Sequence, residues 1–279
     1  MTEGVDFSLA RPGGATLVKA GKHFVIRYTS QTPGATGNGG KRLNASEVRD
    51  YRAAGLDIGL VWETTTGRAT AGFAAGRADA QSSAATAAGL GVPAAVAHYF
   101  AVDQGDITGP QVAEYFKGAA SVLGLPLVGV YGGLDVVGYL LDHHLVTFAW
   151  QTYAWSHGQW DPRAHVQQYH NGVNIGGDVD LDRSMVADWG QWKAVEEVVL
   201  GQDDIDAVAK AVWKLMVGNS GLDTAQMLQS IYNASTNPAD PNAIEQQDAT
   251  AAAVVKILPP NGGGNSAGGS GTFTWTANP

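Results

Sequence analysis

The chain of 279 residues contains no cysteine, which excludes disulfide scaffolds, thiol nucleophiles and thiolate metal sites. Charged side chains are sparse, at 15% of residues, and they lean acidic: Asp+Glu 26 against Lys+Arg 17, for a net charge of -9. Phosphate contacts need clustered Lys and Arg, and no such cluster occurs, so no nucleic-acid partner is expected. No apolar run approaches the roughly twenty residues that cross a bilayer, so no membrane insertion is expected. The opening Met1-Thr2-Glu3-Gly4-Val5-Asp6 lacks the basic start and apolar core of a secretory signal. The histidines His98, His143, His144, His157, His165 and His170 form no His-Glu-x-x-His pair, and Gly-x-Ser-x-Gly is absent from residues 1–192. Those gaps argue against a zinc protease and against a serine hydrolase.

What remains is a globular composition, 44% hydrophobic and rich in alanine and glycine. Apolar runs of strand length fall at residues 4–8, 23–29, 57–63, 95–103, 126–132, 147–153, 165–169 and 177–182. Helical stretches separate the earlier ones. Asn44 with Glu47 predicts a helix N-terminus with a capping box; residues 69–90 are helical by alanine content; Thr108-Gly109-Pro110 opens another helix, and residues 134–141 a further one. Strands alternating with helices predict a parallel sheet, and about eight strands in under two hundred residues predict closure. The expected fold class is α/β: a TIM-like (β/α)8 barrel with reduced later helices, over residues 1–192. Apolar stripes at helical spacing (Ile205, Val208, Val212, Leu215; Met227, Ile231; Val254, Leu258) predict a small helical C-terminal appendage over 193–260. It can pack on itself, on the barrel or on another subunit as a homo-oligomer. Residues 261–279 read as a Gly/Ser-rich linker and tail.

Acids sit at the strand ends: Asp6, Glu63, Asp103 with Asp106 just after it, and Asp178, Asp180 and Asp182. In a parallel barrel these ends meet at one mouth. Crowded carboxylates in a partly dry cleft repel one another, so one keeps its proton as a general acid while another stays ionised. Cleavage of a glycosidic bond needs that division. An Asp at a strand end can instead cap the next helix or turn, but capping does not explain Glu63 at the end of an apolar strand. Asp178-Val179-Asp180-Leu181-Asp182 lacks the glycine and distant Glu of a calcium loop and reads as a strand whose acids face the interior. Gly37-Asn38-Gly39-Gly40-Lys41 lacks the spacing of a phosphate loop and reads as a flexible loop at the mouth, over residues 31–41. Tyr28, Trp62, Tyr99, Tyr131, Gln151, Trp155 and Tyr169 are candidate substrate contacts beside Asp106 and Asp182. Trp155 and Trp160, in the loop 154–161, are the best platforms for a sugar face.

Gly4-Val5-Asp6-Phe7-Ser8, Tyr99-Phe100-Ala101-Val102-Asp103, Val130-Tyr131-Gly132, and Gln168-Tyr169 leading to Val179-Asp180-Leu181-Asp182 resemble, in order, strands of glycoside hydrolase family 25 lysozymes. The match is closer to the related glycoside-hydrolase-like domain family of actinobacteria and their phages, in which Phe24-Val25-Ile26-Arg27-Tyr28 and residues 55–63 look like the second and third strands. The resemblance covers residues 4–192. It implies a mouth lined by Asp6, Asp103 and Asp180 with Tyr131 beside them, and a muramidase-type hydrolase of peptidoglycan glycan strands, most simply a phage endolysin. It implies no metal or organic cofactor. The family 25 pattern places Asp-x-Glu at the end of strand four, where this chain has Asp103-Gln104-Gly105. Either Asp103 is the acid, or Glu63 supplies it, or the cleft holds glycan without cutting it. The expected location is the host cytoplasm on synthesis, with access to the wall after holin-type release.

Overall fold

The computed structural model describes residues 1–34 and 40–194, and these form one closed eight-stranded barrel. In chain order the elements are β1 (Thr2–Asp6), α1 (Gly14–Lys19), β2 (Phe24–Tyr28), α2 (Ala45–Ala53), β3 (Asp57–Trp62), α3 (Gly72–Gly89), β4 (His98–Ala101), α4 (Gly109–Leu123), β5 (Val128–Gly132), α5 (Leu134–Asp142), β6 (Phe148–Thr152), β7 (Val166–Asn174) and β8 (Asp178–Ser184). The barrel lies in the first of two compact units, Met1–Glu196. The expected appendage, linker and tail fall outside the described residues, and with them the proposed homo-oligomer contact. Among the described residues no helix is long and apolar enough to cross a membrane.

The helix starts form where the local chemistry asks for them. Asn44 Oδ1 accepts from the backbone N–H of Ser46 and Glu47, and Glu47 Oε2 accepts from Asn44 N at 3.1 Å, closing the expected box at the head of α2. Thr108 and Gln111 make a second box at α4, with Pro110 in its first turn. Asp106 is therefore not the cap of α4; it stands exposed on the turn before it.

The expectation of an all-parallel sheet needs one correction. Strands β1 to β7 pair in parallel, but β8 runs antiparallel to both β7 and β1. Only Ile175, Gly176 and Gly177 separate β7 from β8, too short a link for a parallel crossover but ample for a hairpin. The reversal also changes which end of β8 carries the chemistry. Its acids face the mouth from its N-terminal half, not from a C-terminal tip.

Period-two alternation sorts the strands into an inner and an outer set. Phe24, Ile26, Val61, Tyr99, Tyr131, Trp150, Val166 and Trp189 fill the barrel. Phe100, Val102 and Val130 face outward with the apolar side of α4, and Val5, Val25 and Ile58 with that of α2. His98 lies on the outer set as expected, its Nδ1 2.7 Å from Ser83 Oγ of α3. The inner aromatics fit because glycines face them: a Cβ on Gly59 would sit 2.5 Å from the Trp189 ring, and one on Gly129 2.7 Å from Tyr99. Trp189 floors the barrel, and its carbonyl accepts from the Tyr99 hydroxyl at 2.6 Å. We expect Gly59→Ala to cost about 1–3 kcal/mol through overpacking against Trp189, read as a lower urea midpoint by tryptophan fluorescence; an unchanged midpoint would show that the floor is not tightly filled.

Candidate functional site

One cavity of about 140 Å³ opens at the carboxyl end of the parallel strands, lined by Asp6, Tyr28, Val61, Glu63, Ala101, Asp103, Tyr131, Trp150, Gln168, Asn171 and Asp180. Most of these are the inward residues that come last on their strands, or the next inward position beyond. Asp6 ends β1 and stands in register opposite Asp180 of β8. Asp103 lies two residues beyond β4 and Glu63 one beyond β3.

Gln168 organises the deeper half. Its Oε1 accepts from the Tyr131 hydroxyl and from Thr152 Oγ1, both at 2.8 Å. With the oxygen thus occupied, Nε2 is directed to Asp6 Oδ2 at 2.7 Å and, at 3.4 Å, to Asp180 Oδ2. Asp180 Oδ1 accepts from Gly172 N at 2.9 Å, so the bulge in β7 aims a backbone donor at it. Below them Asp182 is fully buried and accepts from Trp150 Nε1 at 2.8 Å on Oδ1. Its Oδ2 meets no N–H or hydroxyl donor among the described residues. A proton on Asp182, donated to Asp6, satisfies both groups, and the two side chains are within hydrogen-bond reach. Burial is the largest cause raising the affinity of both for protons; the charge of Asp180 adds to the rise at Asp6, and that of Asp6 to the rise at Asp182.

The upper half is a second carboxyl pair. Asp103 is pushed up to about 6, first by burial and then by the adjacent Glu63, which also shares a hydrogen bond with it. Glu63 in turn holds Lys41 Nζ at 2.6 Å on Oε2. Its backbone is fixed by Ser30, whose Oγ donates to Glu63 O at 2.6 Å and accepts from Glu63 N at 3.1 Å. The site therefore contains a carboxylic acid that holds its proton up to about pH 6 beside an ion-paired carboxylate, facing a hydrogen-bonded acid cluster. That is the division of labour which acid-assisted cleavage of a glycosidic bond requires.

Of the residues singled out in the sequence, the structure brings Asp6, Glu63, Asp103, Asp180, Tyr28 and Tyr131 to the cavity, with Asp182 sealed directly beneath. Asp106 is on the rim turn. Five others are displaced. Trp62 follows an inward residue and so faces outward against the helices. Gln151 is buried behind the wall, donating to Ser156 Oγ and Gln159 O and accepting from Asp161 N. Tyr169 lies on the outer surface, bonded to Glu3 with Arg183 over its ring. Tyr99 points inward but lies too deep, on the floor. Trp160 lies against Arg183 on that same outer surface, away from the carboxyl groups. Trp155 is 39% exposed, with a left-handed φ of 55°, and its ring covers Gly105. Gln168, Trp150, Asn171 and Lys41 are site residues that reasoning from the sequence did not select. The signal for the first two was their inward parity on β7 and β6.

The family profile described as "Rv2525c-like, glycoside hydrolase-like domain" matches residues 15–186. The chain belongs to this family. A curated relative is the candidate peptidoglycan hydrolase Rv2525c of Mycobacterium tuberculosis, 28% identical over 199 residues, covering 67% of this chain and 82% of its own. Crystal structures of the Tat-secreted protein Rv2525c with L-tartrate and with HEPES each give a TM-score of 0.64 at 25% identity, covering 68% of this chain and 98% of the other. Secretion of that relative overturns the expectation of a protein held in the host cytoplasm until holin-type release. The expectation came from the missing signal pattern, the absence of cysteine and the resemblance to phage lysins; residues Thr2–Asp6 form β1 itself.

The chain's departure from the family 25 pattern at Asp103-Gln104-Gly105 has a structural counterpart. A Cβ on Gly105 would sit 2.2 Å from Trp155 Cδ1, so the place where an Asp-x-Glu pattern would put its Glu side chain is occupied by an indole.

The buried acids set a pH dependence. Asp6 and Asp182 have folded proton affinities above the unfolded value near 3.9. Their stabilising contribution is fully present below that value and is lost as pH rises through the raised ones. Urea titrations should show the folding free energy falling between pH 4 and pH 8, on the order of 1–3 kcal/mol. Asp182→Asn keeps partners for Trp150 and Asp6 while removing one ionisation; it should flatten that slope and raise stability at pH 8. Equal slopes in both proteins would rule out the shared proton.

Proposed function

We propose that this protein hydrolyses the glycan strands of bacterial peptidoglycan by a muramidase-type reaction. The observation that carries the reading is the carboxyl pair at the mouth: Asp103, part-buried beside Glu63, is pushed up to about 6, and Glu63 is ion-paired with Lys41 at 2.6 Å. In this reading Asp103 protonates the departing glycosidic oxygen. Asp180 and Asp6, oriented by Gln168, stabilise positive charge at the sugar carbon or orient the substrate's N-acetyl group for attack on it. Trp155 offers its exposed face to a neighbouring sugar ring. The link to the wall is supported by Rv2525c, a candidate peptidoglycan hydrolase. Tat secretion of Rv2525c favours an exported wall hydrolase over the phage endolysin that the resemblance suggests.

A second reading, a glycan-holding domain without hydrolysis, is favoured by the indole of Trp155 over Gly105. Release of new reducing ends from purified peptidoglycan separates the two. Wild type should release them with a rate that declines as pH rises through about 6. Asp103→Asn should lower the rate by about 10²–10⁴-fold while still sedimenting with the wall. Wild type that sediments with the wall but frees no reducing ends would leave the holding reading in its place. Trp155→Ala should raise KM several-fold with a smaller change in kcat; an unchanged KM would remove Trp155 from the binding surface.

A further inference from the structure

Lys41 enters the reading above only as the partner of Glu63, yet this residue of the glycine-rich loop is almost completely buried. Its ammonium lies 2.6 Å from Glu63 Oε2 and 4.3 Å from the centre of the Tyr28 ring. The backbone around it is held as firmly. Lys41 N donates to Thr32 Oγ1 at 3.1 Å, Lys41 O accepts from Arg27 at 3.2 Å, and Arg11 donates to Gly40 O and Arg42 O. A lysine fixed at both backbone and side chain, inside a cleft dominated by acids, is placed to choose among them.

We propose that Lys41 is a positioning residue for the acid chemistry of the mouth: by holding Glu63 as a carboxylate against Tyr28, it leaves the transferable proton of the Glu63–Asp103 pair on Asp103. Two carboxyl groups sharing a hydrogen bond compete for one proton, and a cation on one of them decides the outcome. Here the cation contacts Glu63. Among the described residues that line the cavity, the other titratable groups are Asp6 and Asp180 and the hydroxyls of Tyr28 and Tyr131, none of them cationic. The inference rests on the hydrolase reading for its catalytic meaning but not for its test.

The full chain labelled with [13C]aspartate gives the titration of Asp103, assigned by the signal lost in Asp103→Asn. The wild-type midpoint should be near 6. Lys41→Met, which leaves two carboxyl groups without a counter-ion, should raise it by about one unit or more. Lys41→Arg should return it toward wild type, and Glu63→Gln should lower it. In the reducing-end assay the alkaline limb of kcat/KM should move upward with Lys41→Met. At the same time kcat should fall about 3–10-fold, as the proton is shared with Glu63. Urea midpoints of each variant monitor folding. An unmoved Asp103 midpoint in folded Lys41→Met, or a Glu63→Gln midpoint that rises, would overturn the assignment. If wild type frees no reducing ends, the hydrolase reading falls while the titration still decides the role of Lys41.

Discussion

The guanidinium of Arg27 is completely buried, and its neutralisation dictates much of how the barrel mouth is built. It pairs with Glu47 at 3.0 Å, donates to the carbonyls of Phe7 and Lys41, and lies 4.3 Å over the Phe7 ring. Glu47 meanwhile accepts from Arg11, from Tyr51 and from the backbone of Asn44. One desolvated ion pair thus ties the chain after β1, the loop after β2 and the start of α2 into a single unit. An unpaired charge at such a site costs about 3–5 kcal/mol, so these three segments are fixed together or not at all. The same network delivers Asp6 and Lys41 to opposite halves of the cavity.

Inside the barrel the governing condition is burial. Glycines on the inner face admit Tyr99 and Trp189 below, and Trp150 and Tyr131 pack with ring centres 4.4 Å apart directly under the cavity. Carboxyl groups set on that aromatic floor are shielded from solvent on their inner side. They solve the problem with protons and with Gln168, whose two faces are committed to different partners. The chemistry at the mouth is thereby a consequence of packing beneath it, since the same burial that orders the side chains raises the proton affinity of Asp6, Asp103 and Asp182.

Much of this was legible from the residues because strands reveal themselves by alternation and acids at their ends are conspicuous. Asp6, Asp103 and Asp180 were found that way, as were Tyr28 and Tyr131. Three of the displaced residues share one cause. Trp62, Gln151 and Tyr169 were chosen for what their side chains can do, although each lies one step out of phase with an inward neighbour: Val61, Trp150 and Gln168. A shift of one residue sends a side chain through the wall. Lys41 was illegible for a different reason: it comes from a loop, where no period applies, and its burial depends on arginines distant in the chain. The reversal of β8 could have been read from the glycines at 172, 176 and 177, which favour a bulged hairpin over two separate strands.

The antiparallel return of β8 has a consequence for how the molecule comes into being. Gln168 and Asp6 are 162 residues apart, and Asp180 is farther still along the chain. Their meeting requires the first and last strands to become neighbours, the contact of highest loop-closure cost in the barrel. The acid cluster is therefore not a feature that any partial assembly can own. During synthesis the growing polypeptide carries every other strand before it carries a site, and competence is conferred in one step, by the strand that seals the cylinder.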